Sequence, residues 1–184
     1  MLNFLKNKST KFLFFALFIM LGFSVTAQTA QKKEKIIADA ADAKTAFIEK
    51  DGLLKNLFET AYAYVIFPNV GKGGMGIGAA AGNGVVYEQG KLIGMAKLKQ
   101  LTVGLQLGGQ AYSEVIFFES EDELNRFKEN RFEFSAQASA VAVTEGTSAN
   151  VKYKDGVMIF TQQKGGLMYE ASIGGQKFKF NELE

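Results

Sequence analysis

At Tyr62 the apolar residues of this chain stop recurring every third or fourth position and begin to recur every second one, and this change of period dictates what the remainder can build. Period two sends successive side chains to opposite faces of a strand, so the chain beyond Tyr62 is expected to be sheet. The runs "YAYVIF", "GVVYE", "KLIGMAKLK", "TVGLQLGGQ", "YSEVIFFE", "SAVAVTE", "NVKYK", "GVMIFTQ", "LMYEASI" and "KFKF" supply the strands. Between them, Asn83-Gly84, Glu88-Gln89-Gly90, Asp155-Gly156 and Gly174-Gly175 accept the positive φ angles of tight hairpins, which predicts a mostly antiparallel sheet. "EVIFF" and "VMIF" are apolar on both faces, as central strands are, whereas "NVKYK" and "KFKF" alternate with lysine outward, as strands nearer an edge do.

Before Tyr62 the period is helical. From Gln31 to Lys50, Ile36, Ala40, Ala43 and Phe47 form one stripe, and Lys35, Asp39, Asp42 and Glu49 lie opposite. After Asp51-Gly52 a second helix, Leu53 to Glu59, is predicted with Asp51 as its cap. A third helix is written into "SEDELNRFKEN": Ser120 and Glu123 make a capping box, Leu124 and Phe127 share a face, and Asn130 closes it. The predicted fold class is α+β: a mostly antiparallel, strongly curved or barrel-like β-sheet, with N-terminal helices and one short amphipathic helix after the middle strands.

The string "VGKGGMGIGAAAGNG", Val70 to Gly84, contains a literal G-x-G-x-x-G at Gly71, Gly73 and Gly76. A dinucleotide fingerprint needs a helix opening after the glycines and an acidic residue about 20 positions later. Here a strand follows, and the first acidic residues downstream are Glu88 and Glu114. A phosphate-binding P-loop fails too, because Gly73 rather than Ser or Thr follows Lys72. No nucleotide is expected. Gly74, Gly76 and Gly78 alternate instead, so one face of a strand carries no side chains; this permits sharp coiling, close backbone approach, or a ligand lying on the sheet. Gly104, Gly108 and Gly109 repeat the device.

Lys6, Lys8 and Lys11 precede an apolar run from Phe12 to Phe23, and Val25 and Ala27 stand at the minus-three and minus-one positions of a cleavage site. Residues 1–27 are expected to be a secretory signal peptide, with an uncleaved anchor as the alternative, and 28–184 one domain with its core at about 35–180. Removal of three of the 21 basic residues leaves 18 against 19 acidic ones, a formal charge of about −1, so no net positive field points to nucleic acid. Cysteine and histidine are both absent, which excludes disulfides, Cys or His zinc sites, and Cys-His or Ser-His-Asp nucleophiles. Carboxylates such as Glu114, Glu119 and Asp155 are tied to no partner by spacing. Neither an enzyme nor a cofactor is expected.

Several blocks together carry a resemblance. "AYVIFPNVGKGGMGIGAAAGNGVV", then "VGLQLGGQAYSEVIFF", a short helix, "SAVAV" and "MIFTQQKGGLMYEASIGG" resemble, in that order, the SYLF domain, over roughly Lys35 to Phe178. That family includes exported bacterial proteins and eukaryotic cortical proteins that bind phosphoinositides and other anionic lipids, some of which also bind actin. The tryptophan many members carry is absent here, and "SIGGQ" stands where they have an acidic pair. The resemblance implies binding of anionic lipid or a membrane surface, with Lys72 matching the lysine after the family's first strand and Lys164 the basic residue before its Gly-Leu. If the sheet gathers these two at one rim with Lys97 and Lys99, the ammonium groups and the backbone of Gly73, Gly74 and Gly76 would hold a lipid phosphate. The plainer reading is that exposed lysines keep an edge strand soluble. The expected function is a non-enzymatic, exported, periplasmic or extracellular lipid-binding protein; a small outer-membrane β-barrel or a structural assembly protein of the envelope are the alternatives.

Overall fold

A computed structural model describes residues 8–130, 140–166 and 175–183; the run "LMYEASI" and Gly174 lie outside the described residues. The chain divides into two compact units, Met1–Lys35 and Ile36–Glu184. The first holds the opening turns of helix α1 (Lys8–Lys50), and its residues 29–35 are all exposed. The second carries the sheet. Within it, the α1 stripe behaves as its spacing predicts: Ala40, Ala43 and Phe47 are buried, and Ile36, Ile37 and Ile48 pack beside them.

Helix α2 (Leu54–Thr60) buries Leu54 and Phe58. Asp51 is not its cap, because Leu53 occupies that position with helical backbone angles and no side-chain bond. Asp51 is instead buried, accepting the Leu53 N–H at 3.1 Å on one oxygen and the Ser148 N–H and hydroxyl at 2.8 and 2.7 Å on the other. One carboxylate thereby fastens the turn between two helices to a 3₁₀ turn, Thr147–Asn150, far along the chain. Burial by itself would raise its pKa, but the bonds from Ser148, Leu53 and Gly146 outweigh this and hold it below the ordinary carboxylate value. Asp51→Ala orphans buried donors and should cost about 2–3 kcal/mol in denaturant unfolding. Because the folded pKa is depressed, the wild-type contribution is present above the unfolded pKa and is lost as pH falls through the folded value; the variant should lack that acid-side loss.

The period-two runs merge into far longer strands than their spelling suggests. Strand β1 (Ala63–Glu88) pairs antiparallel with β2 (Lys91–Phe118), joined by a two-residue turn in which Gln89 and Gly90 have φ of 48° and 77°. Asn83-Gly84, expected as a turn, lies inside β1 opposite Lys97 and Ala96. There the ladder and the inward packing on either side override the local turn preference. Asp155-Gly156 is a turn as expected, with φ of 52° and 75° and a bridge between Lys154 and Val157. "NVKYK" forms only that bridge and no strand. "SAVAVTE" contributes the short β3 (Val141–Ala142), which pairs parallel with β4 (Val157–Gly166). Strand β4 flanks the second half of β2, and β5 (Gln176–Glu182) flanks the first half.

Fully extended, the 26 residues of β1 would reach about 85 Å. They do not, because the ribbon curls back on itself. The Gln89 N–H donates to the Tyr62 carbonyl at 3.0 Å, Tyr64 and Tyr87 stack at 4.9 Å, and Gly84 lies against Phe67. Register shifts at Phe67/Val70 and Met75/Ile77 supply the bends. The curl gives the sheet an inside and an outside. Val65, Phe67, Val70, Val86, Leu98, Ile116, Phe118 and Phe178 fill the inside, capped by Leu124 and Phe127 of α3 (Glu121–Lys128). Tyr64, Ile66, Val85, Val115, Phe117 and Phe160 face outward beneath α1 and α2. "EVIFF" is thus buried on both faces, as predicted. The sheet is barrel-like, but among the described residues it is not closed.

Helix α3 starts as its spelling requires: the Ser120 hydroxyl accepts the Asp122 N–H at 3.2 Å and donates to the Glu123 carboxylate, and Asn130 ends the turn at φ 58°. At the seam of the curl the Tyr62 hydroxyl donates to Glu88 at 2.9 Å, and Lys128 pairs with the other Glu88 oxygen at 3.1 Å. The bond to Glu88, with burial adding to it, pushes the Tyr62 pKa up to about 12.

Candidate functional site

From Ile77 to Val86 the β1–β2 register is unbroken, and β5 extends the same rows. On the outer face these rows read Asn83–Lys97–Lys179 and Ala81–Lys99–Lys177, followed by Ala79–Leu101. The residues between them along each strand, Leu98, Gln100, Gln176 and Phe178, point inside and are buried. Lys97, Lys99, Lys177 and Lys179 are exposed. Directly opposed residues of an antiparallel pair have Cβ atoms about 5 Å apart, so the sheet holds four ammonium groups as two like-charged pairs. No carboxylate occupies any of these row positions. Beside the lysines, Ile77 and Leu101 stand 67% and 74% exposed, with exposed Ala79 between them. A cationic face with an exposed apolar margin fits a ligand that is both anionic and apolar.

The residues singled out in the sequence do not all gather here. Lys97 and Lys99 belong to the face; Lys177 and Lys179 complete it, and the only sign of them in the sequence was the alternation of "KFKF". Lys72 is only 5% exposed and lies on the inner face with Val70, its backbone opposite Gln110. Counted from inward Phe67 with strict alternation, Lys72 would point out; the bulge between Phe67 and Val70 shifts the parity and turns it in. Lys164 is exposed on β4 and donates to Asn69 Oδ1 at 3.0 Å, while Asn69 in turn donates to Asp39 at 3.1 Å. A single rim of Lys72, Lys164, Lys97 and Lys99 is therefore not formed.

The glycines have a different geometry from a bared ligand surface. A Cβ on Gly73 would meet Gly108 O at an ordinary 3.6 Å, so that position does not require glycine. On Gly74 it would lie 2.2 Å from the Ile77 carbonyl, because the chain doubles closely there; Gly76 sits in the register shift itself. On Gly82 it would approach Val70 to 2.9 Å. These absences are filled by the protein's own curl.

The inner face holds a second polar group that sequence spacing did not reveal. Glu114 is fully buried, opposite Phe67 on β1 and Thr161 on β4, and accepts from Gln176 Nε2 of β5 at 3.0 Å. Burial pushes its pKa up to about 7, against the lowering effect of the Gln176 bond. Tyr112 lies beside it, its phenol raised first by burial and then by the Glu114 charge. Among the described residues, Glu114 Oε1, Gln176 Oε1 and the Tyr112 hydroxyl have no hydrogen-bond partner.

Residues 99–182 match the Ysc84 family model, described as "Las17-binding protein actin regulator". That stretch contains Lys99, Lys164, Lys177, Lys179 and the Glu114–Gln176 pair, while the glycine string and Lys72 fall outside it. Over 151 residues the chain is 30% identical to "Beta cell expansion factor A" of Aeromonas veronii, covering 79% of this chain and 57% of that protein. The chain thus spans little more than half the length of that relative. SYLF proteins are associated with lipid binding in general. The order of the sequence blocks and these two matches agree, and the chain belongs to the SYLF (Ysc84) family.

Proposed function

We propose that this protein is an exported, non-enzymatic component of the bacterial envelope that binds anionic phospholipid, or an amphiphile like it, on the outer face of β1, β2 and β5. The observation that carries the reading is the opposition of Lys97 to Lys179 and of Lys99 to Lys177 beside exposed Ile77 and Leu101. Phosphate oxygens would accept from the ammonium groups, and the apolar margin would meet acyl chain at the headgroup boundary. In that compartment the actin regulation named in the family description has no partner. A membrane-spanning barrel is a poorer reading, since a lipid-facing band does not carry four lysines at mid-strand.

Co-sedimentation with vesicles tests this, comparing neutral vesicles with ones containing acidic phospholipid at low and high salt. The expected outcome is recovery in the pellet with acidic vesicles at low salt and release at high salt. Equal recovery in the supernatant under every condition would refute it. Replacing both Ile77 and Leu101 by serine should leave the unfolding midpoint nearly unchanged, because both side chains are exposed, yet weaken vesicle binding roughly tenfold through lost apolar contact.

A further inference from the structure

The Glu114–Gln176 bond is a side-chain tie across the inside of the curl, from β2 to β5. Strand β5 is seven residues long and, among the described residues, forms a ladder only with β2, so one ladder, the packing of Phe178 on Phe67 and Phe127, and the Phe180 N–H bond to Asn130 hold it in place beside the Glu114 tie. The tie is set in an apolar wall: Phe67 lies opposite Glu114, and Leu98 and Phe178 follow Gln100 and Gln176 along their strands. We propose that Glu114 is a proton-operated latch for β5. With its proton in place the carboxyl is neutral, tolerates the dry interior and keeps β5 docked; with the proton gone, the buried anion favours any opening that admits water, and β5 is the strand that can open.

The titratable and charged groups that share this inner face are Tyr112, next to Glu114 on β2, and Lys72 on β1; β4 presents Thr161 and β5 presents Gln176, both neutral. Tyr112, its phenol raised, stays protonated through the neutral range and adds no charge. A carboxyl raised to about 7 binds a proton in the folded state that the unfolded or opened chain releases. Docking is therefore strongest below the ordinary carboxyl value of 4.5 and weakens as pH rises from there to about 7, above which the loss levels off. Since β5 carries Lys177 and Lys179, the latch would also govern half of the basic face, a consequence that rests on the function proposed above.

Amide hydrogen exchange of the full chain without lipid, read on peptides covering 176–182 and corrected for intrinsic rates, tests the latch. Between pH 6 and pH 8 the wild-type protection of β5 is expected to fall by about tenfold, most of it below pH 7, because above the docked-state midpoint both states have lost the proton and the dependence flattens. Glu114→Gln should remove that pH dependence while leaving β4 protection as in wild type. Protection that is flat with pH in the wild type, or equally pH-dependent in E114Q, overturns the proposal. Should E114Q fail to fold, the carboxyl carbon of Glu114 can be followed by NMR in the wild type beside the exchange of β5; a midpoint below about 5, or β5 exchange that does not rise as the carboxyl titrates, overturns the latch, and the two moving together uphold it. Vesicle binding absent at every pH would defeat the lipid reading and leave the latch standing, so the two fail separately.

Discussion

Gly84→Val is expected to unfold this protein at moderate denaturant or abolish its accumulation altogether. A Cβ at this position would sit 2.6 Å from the Phe67 ring and 2.7 Å from the Ile66 carbonyl, and the second of these is backbone, which cannot swing aside. Both neighbours belong to the opposite half of the same strand, so relief requires the curl to open and Phe67, Val86 and Phe118 to lose their common interior. Overpacking a dry core costs about 1–3 kcal/mol even when side chains can adjust; with backbone in the way, about 3 kcal/mol is the expected minimum even for alanine, with valine worse. Gly71→Ala is the control. Nothing lies within 4 Å of a Cβ there, so its midpoint should stay within about 0.5 kcal/mol of wild type. Similar losses at both positions would show that the glycines act through local backbone preference and not through close approach.

Neutralising the basic face, with Lys97, Lys99, Lys177 and Lys179 all changed to glutamine, is expected to reduce partitioning onto acidic vesicles by roughly a thousandfold at low salt. Each lysine near an anionic surface contributes about 1 kcal/mol, so four contribute about 4 kcal/mol. Stability should hold or rise slightly, because two like-charged cross-strand pairs disappear. That opposite response of binding and stability separates a ligand face from a structural one. Lys164→Gln, on β4 and engaged with Asn69, should change partitioning far less. Unaltered partitioning of the quadruple variant would remove the face from consideration.

The sequence made some features legible because they are settled by neighbours within a few residues. The Ser120–Glu123 box, the α1 stripe ending at Phe47, and the positive-φ turns at Gln89-Gly90 and Asp155-Gly156 are of this kind. The lysine alternation on "KFKF" was equally local and equally correct, with Lys177 and Lys179 outward and Phe178 buried. The failures share one cause. Asn83-Gly84 has turn chemistry but lies mid-strand, because what decides it is the Phe67 ring 17 residues earlier. Lys72 has the spacing of an outward residue, and one bulge reversed it.

Residue periodicity alone thus determined the class of this fold, its helices, and the mostly antiparallel character of its sheet, since a period is a property of consecutive residues and survives any arrangement at longer range. Which lysines stand together was decided only when the ribbon curled and β5 docked beside β2, bringing Lys97 opposite Lys179 from 82 positions away. The burial of Glu114 was decided in the same way: a carboxylate has an ordinary affinity for protons until a distant strand shuts water out, and no run of neighbouring residues records that event.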